Sequence, residues 1–272
     1  NGTGLVTIDK AGPNQINATL AALTGLKYQP TLNYNGPDSL VITADDKGNS
    51  GGIVPATTAT VPITVVAVND APQLPWTVSP AVPPAPSTAE DTATHVVWPA
   101  NAVVDVDVNE MPGDGRLSVT LSAGHGVLTV STNFGLSLND FSGSNTGSTV
   151  QFTAPLATIN ATLSAATGVR YMPNLNYNGK DTVVMTVNDR GNTDAGLVTP
   201  LTADGTVTVT VAAVNDPPLL TVPATSVTVD EDTNLPLHVQ VVDVDAAEGT
   251  GELRMTLQVF FGTLSVNTAI NG

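Results

Sequence analysis

The sequence predicts an all-β protein of antiparallel β-sandwiches in tandem, with one short helix per repeat. Three observations predict it. Thr and Val are abundant while 24 Gly and 20 Pro punctuate the 272 residues, the composition of a turn-rich β protein. Short β-branched stretches alternate with period two. Two long segments of the chain repeat each other.

The run INATLAALTGLKYQPTLNYNG, from Ile16 to Gly36, returns as INATLSAATGVRYMPNLNYNG from Ile159 to Gly179, 143 residues later. The match continues from Asp46-Lys47-Gly48-Asn49 to Asp189-Arg190-Gly191-Asn192. After a three-residue insertion it resumes from Val65–Pro72 to Val211–Pro218. A second set of matches joins the middle of the chain to its end. These are Glu90-Asp91 with Glu231-Asp232, Asp105-Val106-Asp107 with Asp243-Val244-Asp245, and Gly126–Val130 with Gly262–Val266. Residues 1–72 therefore read as the C-terminal part of one repeat, 73–218 as a complete repeat, and 219–272 as the N-terminal part of a third.

Local pattern supplies the elements. Ile16, Leu20 and Leu23, mirrored by Ile159, Leu163 and Ala166, have helical spacing, and about two turns fit there. Asn-Gly, Asp-Arg-Gly-Asn and Pro-Pro clusters mark turns. Val183–Val187, Thr206–Val214 and Val227–Asp230 read as half-buried strands. Roughly seven short strands per repeat, with turn signals about every eight to twelve residues, describe an immunoglobulin-like sandwich. The Pro80–Pro86 stretch and the polar loop around Ser142–Ser148 account for part of the middle repeat's extra length.

Charge then excludes whole classes of function. The 24 Asp and Glu outnumber the 8 Lys and Arg, for a formal net charge of −16. So few scattered basic residues cannot displace the counterions of a nucleic acid, and anionic membrane surfaces are disfavoured for the same reason. With no cysteine, there is no disulfide framework, thiolate zinc site or cysteine nucleophile. No apolar run approaches membrane-span length, so no membrane insertion is expected in this segment. The chain opens on Asn1-Gly2-Thr3-Gly4 without a basic-then-apolar leader and ends partway through a pattern at Ile270-Asn271-Gly272, and it reads as a piece of a longer protein.

The acids sit at the strand-to-loop transitions shared between repeats. An Asp-x-Asp pair on an extended segment presents both carboxylates to one side, and the neighbours Val104, Val106, Val242 and Val244 offer no counter-charge. A hard divalent cation with about six to eight oxygen ligands suits that donor set. No two of His95, His125 and His238 are spaced as a metal pair. Asp105-x-Asp107-x-Asn109 opens like an EF-hand loop, but Glu110 and Arg116 stand where such a loop needs Gly and Glu, and no helices flank it.

The run VNDPPLLTVPATSVTVDEDTNLPLHVQVVDVDAAEGTG, from Val214 to Gly251, resembles the start of a cadherin domain. VVMTVNDRGN followed by GTVTVTVAAVND resembles a cadherin domain's end. The tyrosine, NYNG and VNDxP pattern is similar to the cadherin-like tandem repeats of very large secreted bacterial adhesins, over essentially the whole chain. That resemblance implies Ca2+ ions at the joints between domains. Carried over residue by residue, the first joint would use Asn69, Asp70, Asp105, Asp107 and Asp189, and the second Glu90, Asn215, Asp216, Asp243 and Asp245. The chain departs from the family at Ala67 and Ala213, where a cadherin linker has a further Asp, and in lacking Asp-Arg-Glu, with Asp38 and Asp181 as its substitutes.

The remaining motifs read as scaffold. Tyr28, Tyr34, Tyr171 and Tyr177 recur identically, which suits packing or corner hydrogen bonds better than a sugar platform. Trp76 and Trp98 occur only in the middle repeat and are candidates for a local contact, with packing favoured. Asn1-Gly2-Thr3, Asn17-Ala18-Thr19 and Asn160-Ala161-Thr162 match a glycosylation acceptor pattern, although Asn beside the short helix also reads as a cap. No catalytic motif is present, so an enzyme is not expected.

The expected function is a calcium-rigidified spacer, a stalk segment of a large extracellular or cell-surface adhesin whose partners are neighbouring repeats of the same protein. Two alternatives stay open. One is a self-assembling subunit of an extracellular filament, built by its partial end repeats. The other is a module gripping a surface glycan or protein through loops around Trp76, Trp98 or Phe134–Phe141.

Overall fold

The structure is a computed structural model, and it describes residues 4–9, 11–78, 85–110, 114–192, 199–222 and 226–267. Most of the predicted Pro80–Pro86 stretch, the Asn1-Gly2-Thr3 pattern and Ile270-Asn271-Gly272 lie outside those residues. The chain is mostly β, as its β-branched, Gly- and Pro-punctuated sequence predicts.

The first segment holds α1 (Pro13–Ala21) and the antiparallel pair β1 (Gly36–Ala44) and β2 (Thr57–Val65). The middle segment holds β3 (Ser87–Ala89), β4 (Thr94–Val96), β5 (Arg116–Ala123), β6 (Gly126–Val130), β7 (Thr146–Gly147), β8 (Thr149–Pro155), α2 (Leu156–Ser164), β9 (Val169–Pro173), β10 (Gly179–Asn188) and β11 (Thr202–Ala212). The last segment contributes β12 (Leu219–Thr221) and β13 (Gln240–Val242).

Two sheets of the middle segment feed one core. The larger has the order β3-β11-β10-β5-β8 and the smaller β4-β9-β6-β7. All pairings are antiparallel except that of β3 with β11. Alternation fixes which face turns inward, because side chains two apart share a face. Leu117, Val119 and Leu121 of β5, Val183, Met185 and Val187 of β10, and Leu128 and Val130 of β6 are all buried. Burying each such side chain fully stabilises the fold by roughly 1.5–3 kcal/mol.

The helix closes one side of this core. It buries Ile159, Thr162 and Leu163, so Thr162 takes the slot that the sequence pattern assigns to Ala166, which lies beyond the helix and is exposed. Asn160 does not cap the helix. Its side-chain amide brackets the backbone of Val103, accepting from the N–H and donating to the carbonyl, each at 2.9 Å.

Gly205 and Gly168 mark close approaches. A Cβ at Gly205 would stand 2.5 Å from the ring of Trp76, and one at Gly168 would stand 1.7 Å from the carbonyl oxygen of Thr162. Trp76 and Trp98 meet edge to face inside the core, with ring centroids 6.4 Å apart.

Every buried hydrophobic among the described residues lies between Leu74 and Val211. Leu20 and Tyr28, in register with fully buried Leu163 and Tyr171, are 42% and 46% exposed. The physical reason is local: β4 pairs with β9 and β6 flanks it in the middle segment, and no strand does so for the first segment among the described residues. Likewise Val227–Asp230 forms no strand. Its counterpart in the middle segment, around β3, is a strand because it pairs with β11.

Backbone strain recurs with the sequence. Among the described residues, the six non-glycine residues with left-handed φ fall into three register pairs, Asn33 with Asn176, Lys47 with Arg190, and Asp91 with Asp232, and φ differs by 7° or less within each pair.

Candidate metal centre

Carboxylates collect at the two boundaries between segments. At the first, mutual hydrogen bonds between Gln73 and Val104 dock the chain after β2 against the Asp105–Asp107 segment. The amide N–H of Asp107 donates to Asp105 Oδ1 at 3.0 Å, and that of Asp70 donates to Asp107 Oδ2 at 2.5 Å. Asn69 reaches across to Asp189 at the end of β10, its Nδ2 donating to Oδ2 at 2.6 Å. Asp189 Oδ1 in turn accepts from the N–H groups of Gly191 and Leu201, each at 2.8 Å.

Asn69, Asp105, Asp107 and Asp189 are all buried there. Among the described residues, neither Asn69 Oδ1 nor Asp105 Oδ2 has a hydrogen-bond partner. Burial pushes the Asp105 carboxyl up to about 6 against the hydrogen bond from Asp107, and the charges of Asp107 and Asp189 push the same way. Burial also raises Asp107, opposed by the Asp70 N–H and reinforced by the charges of Glu110, Asp70 and Asp189. Among the described residues, no Lys, Arg or His pairs with Asp105, Asp107 or Asp189.

The second boundary repeats this construction. The amide of Asp245 donates to Asp243 Oδ1 at 3.0 Å, and the amide of Asp216 donates to Asp245 Oδ2. Glu90 follows β3, its backbone N–H bound to the Ala212 carbonyl at 2.9 Å and its Oε1 accepting from Val214. Glu90 is 3% exposed, and its Oε2 has no partner among the described residues. One oxygen from each of Glu90, Asp245 and Glu248 lies within 4.8 Å of the others. Burial raises the Asp216 carboxyl, and the charges of Asp245, Asp91, Glu90 and Asp243 add to the rise.

Like charges on three carboxylates at this spacing repel one another. Buried polar atoms are ordinarily hydrogen-bonded, and Glu90 Oε2 and Asp105 Oδ2 depart from that rule inside acidic clusters. The donors are all oxygen, which suits a hard cation and not a soft one. The triad could hold a metal ion.

Of the residues that the sequence nominates, Asn69, Asp105, Asp107 and Asp189 come together, as do Glu90 and Asp245. Asp243 orients Asp245. Asp70 and Asp216 contribute backbone N–H groups. Asn215 is exposed and bonds the carbonyl of Asp216 at 3.4 Å. Asp181 is already committed: it accepts from the Tyr171 hydroxyl and from the N–H groups of Gly124, His125 and Thr182. Asp38 accepts from Tyr28 in the same way.

Sequence reasoning missed Glu248. Its signal is present, because Asp105-x-Asp107-x-x-Glu110 and Asp243-x-Asp245-x-x-Glu248 place a Glu three residues after each pair. Each Glu donates its backbone N–H to the preceding Asp carbonyl at 2.8 Å.

Compared with known proteins, the chain matches no family model and no curated sequence.

Proposed function

We propose that this protein is a calcium-stiffened spacer, a stalk segment of a large extracellular adhesin built from immunoglobulin-like, cadherin-like repeats. The observation that carries the proposal is the unpartnered, buried carboxylate oxygen of Glu90 in a triad completed by Asp245 and Glu248 of the following segment. A divalent cation there cancels the repulsion and ties two segments to one ion. The unpartnered oxygens of Asp105 and Asn69 support the same role at the first boundary. Three register pairs of left-handed residues support a tandem reading of the chain.

Without the cation, like charges converge at each boundary and the segments move relative to each other, as small interfaces allow. Calcium titration followed by calorimetry and small-angle scattering tests this. The expected result is a higher melting temperature and a larger maximum dimension, both reversed by chelator. Indifference to calcium and chelator overturns the proposal, as does a Glu90→Gln/Asp245→Asn double variant that responds like the parent; a parent-like Asp105→Ala/Asp107→Ala variant removes the first boundary from it.

A second reading has its own observation. Leu20, Tyr28, Phe260 and Phe261 are exposed in the end segments, and such faces suit a self-assembling filament subunit. Sedimentation velocity across a concentration series distinguishes it, since a spacer stays monomeric. The glycan-binding alternative loses its best rings, because Trp76 and Trp98 are both buried in the core.

A further inference from the structure

The two boundaries share a contact that the cation reading alone does not require. At the first, the side-chain amide of Asn35 donates to Glu110; at the second, that of Asn178 donates to Glu248. Asn35 and Asn178 are the last Asn of the two NYNG turns, and Glu110 and Glu248 are the two Glu residues that follow the Asp-x-Asp pairs. Each partner thus recurs in its own register, 143 residues apart for the Asn and 138 for the Glu. Two separate sequence matches converge on one hydrogen bond, made twice.

The turn that presents each Asn is braced. Asn33 and Asn176 are left-handed, with φ of 57° and 56°, and Gly36 and Gly179 have φ of 114° and 119°. The Tyr34 hydroxyl donates to the Pro37 carbonyl at 2.5 Å, and the Tyr177 hydroxyl donates to the Lys180 carbonyl at 2.7 Å. The Tyr177 ring also stacks on His125 at 4.3 Å. Asp91 Oδ1 accepts from the Asn176 N–H at 3.0 Å, tying the turn to the residue after Glu90. A turn held this way presents its amide in one direction with little entropy left to lose.

Resting on the cation reading above, we infer that Glu248 is a cation ligand and that Asn178 is its positioning residue, so that this Asn–Glu clasp converts ion binding into a fixed direction for the next segment. The Glu248 carboxylate stands in both relationships at once. It accepts from Asn178, on the far side of the boundary, and it supplies an oxygen to the triad with Glu90 and Asp245. Glu90 is the independent pointer to a ligand, since its carboxylate is buried and one of its oxygens is unpartnered. Hydrogen-bond partners of metal-binding side chains orient the ligand, and removing them typically weakens metal affinity about 10- to 100-fold. At the first boundary, Asn35 and Glu110 line one groove together with Asp107, so the same device is set against the same Asp-x-Asp carboxylate.

The test uses the full chain with calcium chloride as probe. Calorimetric titration reads affinity. Spin labels on Asn139→Cys and Thr256→Cys read the spread of distances across the second boundary, in a protein with no native cysteine. Asn178→Ala is expected to weaken the tighter calcium site about tenfold and to broaden the distance distribution in calcium. Glu248→Gln is expected to weaken calcium about tenfold or more yet keep a narrow distribution in chelator, because the Gln carbonyl still accepts from Asn178 while one repelling charge is gone. The two substitutions together should weaken binding less than the product of their separate effects, since they act through one carboxylate. An Asn178→Ala distribution as narrow as the parent's in calcium overturns the clasp. Unchanged calcium affinity in Glu248→Gln overturns Glu248 as ligand. If the parent takes up no calcium, the spacer proposal itself fails, and the chelator-arm distances of the parent and Asn178→Ala still judge the clasp separately.

Discussion

The hydroxyl of Tyr171 donates to the carboxylate of Asp181 at 2.7 Å inside the middle segment. The corresponding Tyr28 makes the same bond to Asp38 at the same length, on a surface left open. Burial pushes the Asp181 carboxyl upward, but the Tyr171 hydroxyl and the N–H groups of His125, Thr182 and Gly124 outweigh it and hold the group below its ordinary value. The matched pair allows one interaction to be compared in two environments. Tyr171→Phe should cost about 1–3 kcal/mol, because a buried carboxylate loses a donor, whereas Tyr28→Phe should cost a fraction of that. Urea denaturation of the two variants measures the difference.

Asp181 and Asp105 should respond to pH in opposite senses. Asp181 has a depressed folded pKa, so its contribution is present above about pH 4 and is lost as pH falls through the folded value. Asp105 in chelator has a folded pKa raised to about 6. Its contribution is present below about pH 4 and is lost as pH rises through about 6, by at most about 3 kcal/mol. In chelator the melting temperature should therefore pass through a maximum on the acid side of neutrality. On the proposed calcium role, the cation should flatten the decline toward neutral pH by stabilising the ionised form. A melting series from pH 3 to pH 8, with and without calcium, checks both limbs.

Asp105→Asn should reverse its effect with the cation. In chelator at pH 7 it removes a buried, uncompensated charge and should raise the melting temperature by a few degrees, corresponding to about 1–2 kcal/mol. In saturating calcium the proposed spacer role predicts that the parent is the more stable protein, because the variant lacks a carboxylate proposed to face the ion. Paired thermal melts decide it, and a variant less stable than the parent in both conditions would show that Asp105 acts only as a structural hydrogen-bond acceptor.

Gly205→Ala should destabilise the middle segment by about 1–3 kcal/mol, since the added Cβ meets the Trp76 ring at 2.5 Å in a packed core. The ring must move against Trp98, so the loss in denaturant should come with a shift in tryptophan emission.

Asn160→Ala should cost about 1–3 kcal/mol, because it leaves the N–H and carbonyl of Val103 without the two bonds that Asn160 provides. The same geometry predicts that Asn160 resists glycosylation in the folded protein, as a glycan on Nδ2 would displace the bond to the Val103 carbonyl. Mass spectrometry after expression in a glycosylating host, with exposed Asn17 as comparison, tests that.

The β class, the internal matches and the Asp-x-Asp pairs were legible in the sequence because each is a local pattern. Strand alternation, turn residues and the spacing of two carboxylates depend on neighbours along the chain. The scaffold role of Tyr171 and Tyr177 was legible too, from identical recurrence. Three things were not. Val227–Asp230 alternates like a strand but has no strand to pair with among the described residues. Asp181 resembles a spare ligand until Tyr171 and three N–H groups claim it. Glu248 carries its signal in plain view, three residues past Asp245, yet its meaning depends on Glu90 and Asn178, far away in the chain.

The sequence by itself determined which residues are acidic, which alternate and which recur, since composition and period are properties of the chain. Only the tertiary structure decided which carboxylates are committed to the core and which converge at a boundary. A carboxylate's role is set by how many donors surround it and how much water it has lost, and both are fixed by residues brought together across many tens of positions.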